Sequence, residues 1–479
     1  MIGGLRLWTA DFLDDAYITF QYARNISEGH GFIFTPRYPT WGTTTPLWTL
    51  LLAAAGALGL PIPPAAFAFD VAALVLQAVF VWMLFDALGV RAWAPAAIVF
   101  VQAMWSLPTS LPGMEYGLYA ALCLGALGGV VRGAWVTAAV CAALAAVARP
   151  DGALVWVLCA AAWLIHTHGR ARPRAVIAAA GILPLLWYGF ALWTWGRLTP
   201  QTLATRRFEA GVWGRFWDYW LVNYFHPRGW VWLVVPVLAG LILAALENRR
   251  AVWVGLFFAG YTGMYSLFGL PALSPYFCPV NLVALAAVVL VPALGGRRCS
   301  LRSRIPLPQV RYGLLAVLVL AALWGNGRMS LDARRFFFKY RTLDTKLDTY
   351  RAVGRWLAET TPPQTTFAAN EIGALTWFSR RDIVEVGGLV NPDGLARMVD
   401  GKLHEIIQSA RPDLIILPDG FARAILAADP VWFAQHYVLL DTLSNDEKIP
   451  VSLWRRADFQ PDAPWPERLR ALRSRAEGR

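Results

Sequence analysis

Long apolar runs, separated by short polar junctions, make up most of the first 330 residues. Runs of roughly 15 to 25 apolar residues suit helices that cross a hydrocarbon core of about 30 Å. We predict ten such spans, at 64–89, 92–108, 114–131, 134–148, 152–166, 175–196, 229–246, 251–270, 276–294 and 311–328. A soluble protein has too little interior to bury so many apolar helices. The pattern therefore predicts a polytopic α-helical membrane protein.

Basic residues mark every second junction between these runs. They are Arg91, Arg132 and the basic stretches at 166–174, 247–250 and 295–304. Basic junctions face the cytoplasm in multi-pass proteins, by the positive-inside rule. The segment before residue 64 and everything after residue 330 are therefore expected on the extracytoplasmic side of the cell membrane.

The N-terminal region leaves two alternatives open. Residues 1–13 are too short and too polar to span, so either the protein begins outside or its first helix is missing from the recorded start. Segment 46–60 is apolar and bracketed by proline and glycine, so it is either an eleventh span or a helix lying in the outer interface. Counting it as a span spoils the charge alternation, which favours the interfacial helix.

The character of the chain changes after residue 330, where 20 of the 31 acidic residues lie. Strand-length apolar runs occur at 365–369, 382–386, 414–417, 437–440 and 451–454, and helical patterns at 347–357 and 403–410 alternate with them. Such alternation predicts an α/β domain. The predicted organisation is an outer loop at 1–63, a transmembrane bundle at 64–330 and an extracytoplasmic α/β domain at 331–479.

Composition agrees with the membrane interpretation and excludes other classes of protein. Apolar residues make up 57% of the chain and charged residues only 15%, against about 25% charged in ordinary soluble domains. The net charge is +12, but the basic residues lie in short clusters between apolar runs, so no nucleic-acid partner is expected. The five cysteines show neither a disulfide framework nor a metal-binding CxxC pair.

An acidic pair, Asp14 and Asp15, stands just ahead of an amphipathic stretch on the outer side. Neighbouring residues on a helix point about 100° apart, so one carboxylate can face a cleft while the other braces a neighbour. A partly desolvated carboxylate at the membrane interface suits a general base for an acceptor hydroxyl. Alternatively, both are ordinary acids at a helix N-terminus, favoured there by the helix dipole.

Other charged residues on the outer side are candidates for ligand binding. Glu115 lies at the outer end of a span, and an ionisable residue there is either functional or an ordinary helix-start acid. Arg149 suits a lipid phosphate, or it pairs with Asp151 to brace a tight turn. Arg206 and Arg207, in the predicted outer loop 197–229, either receive a phosphate or touch lipid headgroups.

Several stretches together resemble the bacterial GT-C membrane glycosyltransferases similar to the mycobacterial terminal arabinofuranosyltransferase. They are DDAYITFQYARNISEGHGFIF at 14–34, TTTPLWTLLLA at 43–53, LPGMEYGLYAAL at 111–122, RPDG at 149–152, WGRLTPQTLATR at 195–206 and AANEIGALTWFSRRDIVEVGGLVNPD at 368–393. The resemblance implies a GT-C helical bundle whose large first outer loop holds interfacial helices. It also implies transfer of a sugar from a polyprenyl-phosphate donor to a glycan or lipid acceptor outside the membrane.

The resemblance also suggests roles for individual residues. Asp14 is expected to be the base, and Asp15 to orient the acceptor or to hold a divalent cation, Mg or Mn. Direct displacement by one base would invert the anomeric centre. The expected substrate-binding residues are Arg24, Glu115, Arg149, Asp151, Arg206 and Arg207.

Two other functions compete with the enzyme. A transporter or flippase of lipid-linked sugars would favour inverted repeats and ionisable groups near the membrane midplane. The sequence shows no internal repeat, and its acidic residues lie toward the predicted outer interface. In a scaffold protein, the outer α/β domain would do the work and the acidic pair would be incidental.

Overall fold

A computed structural model describes residues 12–102, 112–168, 174–205, 231–268, 278–298, 346–445 and 448–461. Two helices form the first loop: α1 (Asp14–Ser27) and α2 (Pro46–Ala57). The helical bundle follows, with α3 (Ile62–Ala87), α4 (Ala94–Val101), α5 (Tyr116–Arg132), α6 (Trp135–Ala148), α7 (Ala153–Thr167), α8 (Arg174–Trp195), α9 (Val231–Glu247), α10 (Val252–Phe268) and α11 (Cys278–Arg298). Helices occupy all or part of nine of the ten predicted segments; the segment 92–108 is helical at 94–101, and its end from 103 on lies outside the described residues. The tenth segment, 311–328, also lies outside the described residues.

Helix α5 forms the centre of the bundle. It is buried along almost its whole length and packs against α3, α6, α7 and α11. Small residues allow these close approaches, because a Cβ at Gly129 would lie 2.7 Å from the backbone nitrogen of Ala138 on α6. The peripheral helices instead expose apolar side chains, among them Val75 on α3 and Trp193 on α8.

Two segments of the described chain are long and apolar enough to cross a membrane. They are Ile62–Ala87, with 26 residues and a mean hydropathy of 2.1, and Pro150–Thr167, with 18 residues and a mean hydropathy of 1.3. Shorter apolar helices include Tyr116–Arg132 and Trp135–Ala148. Helix α2 has 12 residues and is therefore about 18 Å long, short of a ~30 Å core.

The C-terminal region contains the predicted mixture of helices and strands. The helices are α12 (Lys346–Thr360), α13 (Gly373–Ser379), α14 (Pro392–Val399), α15 (Leu403–Ala410), α16 (Asp419–Leu426) and α17 (Pro430–His436). The strands are β1 (Thr366–Ala369), β2 (Asp382–Glu385), β3 (Leu414–Pro418), β4 (Tyr437–Leu443) and β5 (Val451–Arg456). All five predicted strands are confirmed, within a few residues at their ends.

These strands form one sheet in the order β2-β1-β3-β5-β4. Strand β1 pairs in parallel with β2 and β3, whereas β5 runs antiparallel to β3 and β4. Successive side chains of a strand point to opposite faces, so Phe367 joins the core shared with the bundle and Ala368 joins a second core. The sheet therefore has one face toward the first loop and one toward its own outer helices.

Helix α13 connects the α/β domain to the first loop by packing against α1. Gly373 makes this approach possible, since a Cβ there would lie 2.0 Å from the carbonyl oxygen of Asp14. Aromatic rings fill the contact, with Tyr17 and Phe378 centred 5.2 Å apart and Phe20 and Trp377 5.9 Å apart. The position of the domain is thereby fixed on the helix that begins with the acidic pair.

Candidate active site

Asp14 lies at the point where α1 meets the α/β domain. Its Oδ2 accepts a hydrogen bond from the Gly373 amide at 3.0 Å, and its Oδ1 accepts one from the Ala374 amide at 2.7 Å. These are the first amides of α13, which have no partner within their own helix. One carboxylate thus caps the N-terminus of α13 across the boundary between the two regions.

The surroundings of Asp14 raise its pKa to about 7, first because the carboxyl is desolvated by burial and second because Glu371 is a nearby negative charge. The two amides of α13 oppose this rise without cancelling it. At neutral pH the carboxyl is therefore divided between its protonated and ionised forms. A carboxylate oxygen also has a second lone pair, so the two hydrogen bonds leave capacity to accept a proton.

Asp15, the second acid of the pair, is exposed. Its negative charge contributes to the raised pKa of Asp14. The Glu371 carboxylate, which is also near Asp14, forms an ion pair with Lys346. In the described parts of the chain, no three carboxylate, histidine or cysteine side chains cluster as they would to hold a metal ion.

Arg24 lies on the same helix as Asp14, and its side chain is 7% exposed. Its guanidinium donates to the Trp377 carbonyl at 2.9 Å and to the Gln21 side chain, and it lies 4.5 Å from the centre of the Trp377 ring. Burial lowers the pKa of Arg24 to about 10, so the group stays charged at neutral pH. A cation at carbonyls near the end of a helix is favourable. This geometry favours a structural role for Arg24 over the expected substrate binding.

A second cluster unites three predicted site residues inside the bundle. Arg149 donates from Nε to Asp151 Oδ1 at 3.0 Å and from a terminal nitrogen to Glu115. The side chains of Arg149, Asp151 and Glu115 are 6%, 8% and 1% exposed. The structure therefore brings these residues together, but in a closed ion network rather than on an open surface.

Tyrosines complete the enclosure of this network. Tyr261 and Tyr265, stacked on each other on α10, both donate their hydroxyls to Asp151 Oδ2. Tyr116 and Tyr119 place their rings 5.3 and 5.5 Å from the Arg149 guanidinium carbon. With both carboxylates and the aromatic faces around it, Arg149 braces the turn between α6 and α7. The geometry favours this interpretation over phosphate binding.

Glu385, at the end of β2, was not singled out from the sequence. Its side chain is fully buried, and Oε2 accepts hydrogen bonds from the amides of Val390 and Asn391 at 3.2 and 2.9 Å. Burial raises its pKa to about 7. Glu385 thus holds together the loop 386–391, which follows β2.

The loop 386–391 contacts two segments from the first 205 residues of the chain. Thr40 donates its hydroxyl to the Val390 carbonyl at 2.6 Å, and Thr205 donates its hydroxyl to the Gly388 carbonyl at 2.6 Å. The next residues after Thr205, Arg206 and Arg207, lie outside the described residues.

Comparisons with known proteins agree with the resemblance seen in the sequence. Residues 340–461 match a domain family described as a domain of unknown function (DUF8728). The terminal β-(1→2)-arabinofuranosyltransferase of Mycobacterium tuberculosis (strain ATCC 25618 / H37Rv) is 27% identical over 273 residues. This match covers 51% of the present chain and 42% of the relative, so it spans less than half the length of that protein.

Solved structures match over most of the chain. ArnT from Cupriavidus metallidurans, bound to undecaprenyl phosphate, superposes with a TM-score of 0.58 at 14% identity, covering 93% of this chain and 94% of ArnT. The archaeal oligosaccharyltransferase AglB from Archaeoglobus fulgidus, in complex with an inhibitory peptide and a dolichol-phosphate, gives 0.53 at 12% identity, covering 94% and 70%. Both neighbours are GT-C glycosyltransferases. The chain therefore has the GT-C fold.

Within this GT-C fold, the sequence located the acidic pair but missed what surrounds it. Glu371, Gly373 and Glu385 all lie in the stretch at 368–393 that carried part of the resemblance. A signal for Gly373 was absent, because its role arises from contact with a helix some 360 residues earlier. The buried position of Glu385 had a weak signal, since it ends an apolar strand and precedes two glycines.

Proposed function

We propose that this chain is an integral membrane glycosyltransferase that moves a sugar from a polyprenyl-phosphate donor to a glycan or lipid acceptor on the extracytoplasmic side. The observation that carries the proposal is the position of Asp14 in a GT-C fold. Its carboxyl is held by two amides of the outer domain, and its pKa is about 7. The polyprenyl phosphates bound to the structural neighbours and the arabinofuranosyltransferase relative support this donor class.

In the proposed reaction, the acceptor hydroxyl oxygen attacks the anomeric carbon of the donor sugar. Its proton passes to the Asp14 carboxylate while the bond from the anomeric carbon to the phosphate oxygen breaks. Polyprenyl phosphate leaves with the bonding electrons, and the anomeric centre inverts. A base whose pKa is close to the operating pH is efficient in such a transfer. Asp15, being exposed, orients the acceptor or holds a divalent cation.

The leaving phosphate needs a cation at the membrane surface. Arg149 is enclosed by Glu115 and Asp151, so we assign it to the scaffold. Arg206 and Arg207, which lie outside the described residues, are the other candidates from the sequence and take the phosphate role in this proposal.

The membrane placement is part of the proposal and rests on exposed apolar surface. Val71, Val75 and Val79 of α3 are 42%, 58% and 53% exposed, although such side chains favour a buried or lipid environment. Leu186 of α8 is 64% exposed. Together with the alternating basic junctions, this surface supports a multi-pass bundle whose first loop and α/β domain lie outside.

Transfer of label from a radiolabelled polyprenyl-phosphate sugar tests the function. Purified protein in vesicles is expected to move the label into a water-soluble or lipid acceptor, with release of polyprenyl phosphate. If intact labelled lipid crosses the bilayer and no sugar leaves it, the chain is a flippase. Protein that does neither, while folded, contradicts both functions.

Cysteine labelling tests the topology. His30 and Val431 are exposed, and cysteines there are expected to react with an impermeant thiol reagent in intact cells. A cysteine at Arg91, at a basic junction, is expected to stay unlabelled until the membrane is opened. Cys299 is replaced by serine in all three variants, and the other four cysteines are buried. Labelling of Arg91→Cys in intact cells would contradict the proposed orientation.

A further inference from the structure

A cavity of about 340 Å³ lies in the outer domain, away from the acidic pair. Its walls include Arg411, Trp432, Gln435, His436, Arg456 and Asp458. The volume falls in the range of about 300–1,000 Å³ that is usual for small-molecule sites. It borders β4 and β5, whereas the contacts with the first loop involve β2, at the opposite edge of the sheet.

One wall of the cavity is an aromatic stack. The rings of Trp432 and His436 lie 4.3 Å apart at an angle of 18°, one turn apart on α17. His436 Nδ1 lies 2.8 Å from the Trp432 carbonyl, which holds the imidazole in place, and the Asp429 carboxylate caps α17 by accepting from the Trp432 amide at 3.2 Å. A rigid, flat apolar wall of this kind suits the C–H face of a sugar ring.

The other wall is polar and held in place. Arg456 donates from Nε to Asp458 at 2.6 Å, contacts Asp413 at 3.0 Å, and donates to the Arg411 carbonyl at 2.8 Å. Asp458 of the lining and Asp413, which pairs with Arg456 from outside the lining, together offset the charges of Arg411 and Arg456. Gln435 and Arg411 are exposed at the rim, where planar polar groups can meet ligand hydroxyls.

We propose that this cavity is a binding site for a neutral oligosaccharide. The balanced charge favours an uncharged ligand over a phosphate or a uronic acid, and the aromatic wall with planar polar groups matches the apolar faces and hydroxyls of sugars. Four strand spacings, about 19 Å, separate the β2 and β4 edges of the sheet. A glycan chain can bridge such a distance, whereas a single sugar cannot.

The site would hold a remote part of the acceptor while its growing end lies near Asp14. This assignment to the acceptor rests on the proposed function, whereas sugar binding itself does not. Weaker binding at this site would then raise KM for long acceptors and leave KM for short acceptors unchanged.

Saturation-transfer NMR with the full-length protein in nanodiscs, without donor, tests the site. The probes are neutral arabino- and gluco-oligosaccharides, with an oligouronate as the charged comparison. Trp432→Ala is expected to weaken binding of the neutral probes about tenfold or more, as loss of a central aromatic contact does. Val431→Ala, on the same helix but 67% exposed and outside the cavity lining, is the matched control.

Gln435→Ala alters an exposed side chain and is expected to weaken binding of the same probes. It therefore decides the test if Trp432→Ala does not fold. Equal binding by folded wild type, Gln435→Ala and Trp432→Ala overturns the proposal, as does tighter binding of the oligouronate. Sugar binding without any transfer activity would refute the proposed function and leave the site standing. Transfer to long acceptors with an unchanged KM in both variants would refute the link to the acceptor.

Discussion

The acidic pair on α1 and the charge cluster around Arg149 were both candidate functional sites, and they are built differently. Asp14 is half-buried at a boundary between two regions and bonds to backbone amides, with a pKa of about 7. Glu115 and Asp151 lie inside the bundle and share one guanidinium. A carboxylate held only by amides can still exchange a proton, whereas a closed ion network has little reason to change its charge. This difference is the reason that the proposed function assigns the base to Asp14 and a structural role to Arg149.

The largest expected effect is on turnover in Asp14→Asn. Removing a general base typically costs about 10²–10⁴-fold in rate, and we expect kcat to fall by that amount while KM for the donor changes little. Transfer of labelled sugar by the purified variant is the measurement, with Asp15→Asn expected to lose less.

Gly373→Ala is the structural control for this variant. Its Cβ would lie 2.0 Å from the Asp14 carbonyl oxygen and 3.0 Å from Oδ2, so it disturbs the docking of α13 while residue 14 keeps its carboxyl group. Hydrogen exchange of the amides in 373–379 measures docking separately from turnover. Exchange in Asp14→Asn as fast as in Gly373→Ala would assign the loss in Asp14→Asn to docking.

Next in size is the effect of breaking the buried cluster. Arg149→Met leaves Glu115 and Asp151 without their shared cation, and we expect a loss of about 3–5 kcal/mol in the free energy of unfolding. Adding Glu115→Gln and Asp151→Asn should restore part of it. Arg132→Met is the matched control, because Arg132 is half-exposed and its pair with Asp86 is worth about 0–1 kcal/mol. Unchanged stability in Arg149→Met would return Arg149 to the list of ligand-binding residues.

A smaller effect is expected from Arg24→Met, which removes the cation from the carbonyls at the end of α13. A favourable helix-end charge is worth up to about 2 kcal/mol when partly buried. Faster hydrogen exchange of the amides in 373–379 is the expected result. Arg37→Met, which removes an exposed pair with Asp382, should leave that exchange unchanged. Equal exchange in wild type and Arg24→Met would contradict the assigned structural role.

The smallest effect concerns Glu385 and pH. Its pKa is raised from 4.5 to about 7 in the folded protein, so the folded state binds more protons than the unfolded state between these values. Stability therefore falls as pH rises through this window. Glu385→Gln should flatten the fall in Tm, leaving the part that Asp14 contributes with the same sign. An unaltered dependence of Tm on pH would show that Glu385 does not titrate there.

Patterning alone predicted the secondary structure well, because apolar period and length are local properties. The strands of the α/β domain and the helices in the predicted apolar segments follow from these two local properties. The sequence also placed Glu115, Arg149 and Asp151 among the candidates, but their mutual pairing depends on how α5, α6 and α7 pack. The hydrogen bonds of Asp14 to α13 join residues some 360 positions apart, and such a contact leaves no periodic signal.

The pH dependence of sugar transfer tests the central claim, that Asp14 is the base, most directly. A base acts in its ionised form, so kcat/KM should rise with pH through an apparent pKa near 7 and then level off. In Asp14→Asn the rising limb should disappear, leaving a low and flat profile, while Glu385→Gln should retain it. A rising limb that persists unchanged in Asp14→Asn would show that another group is the base.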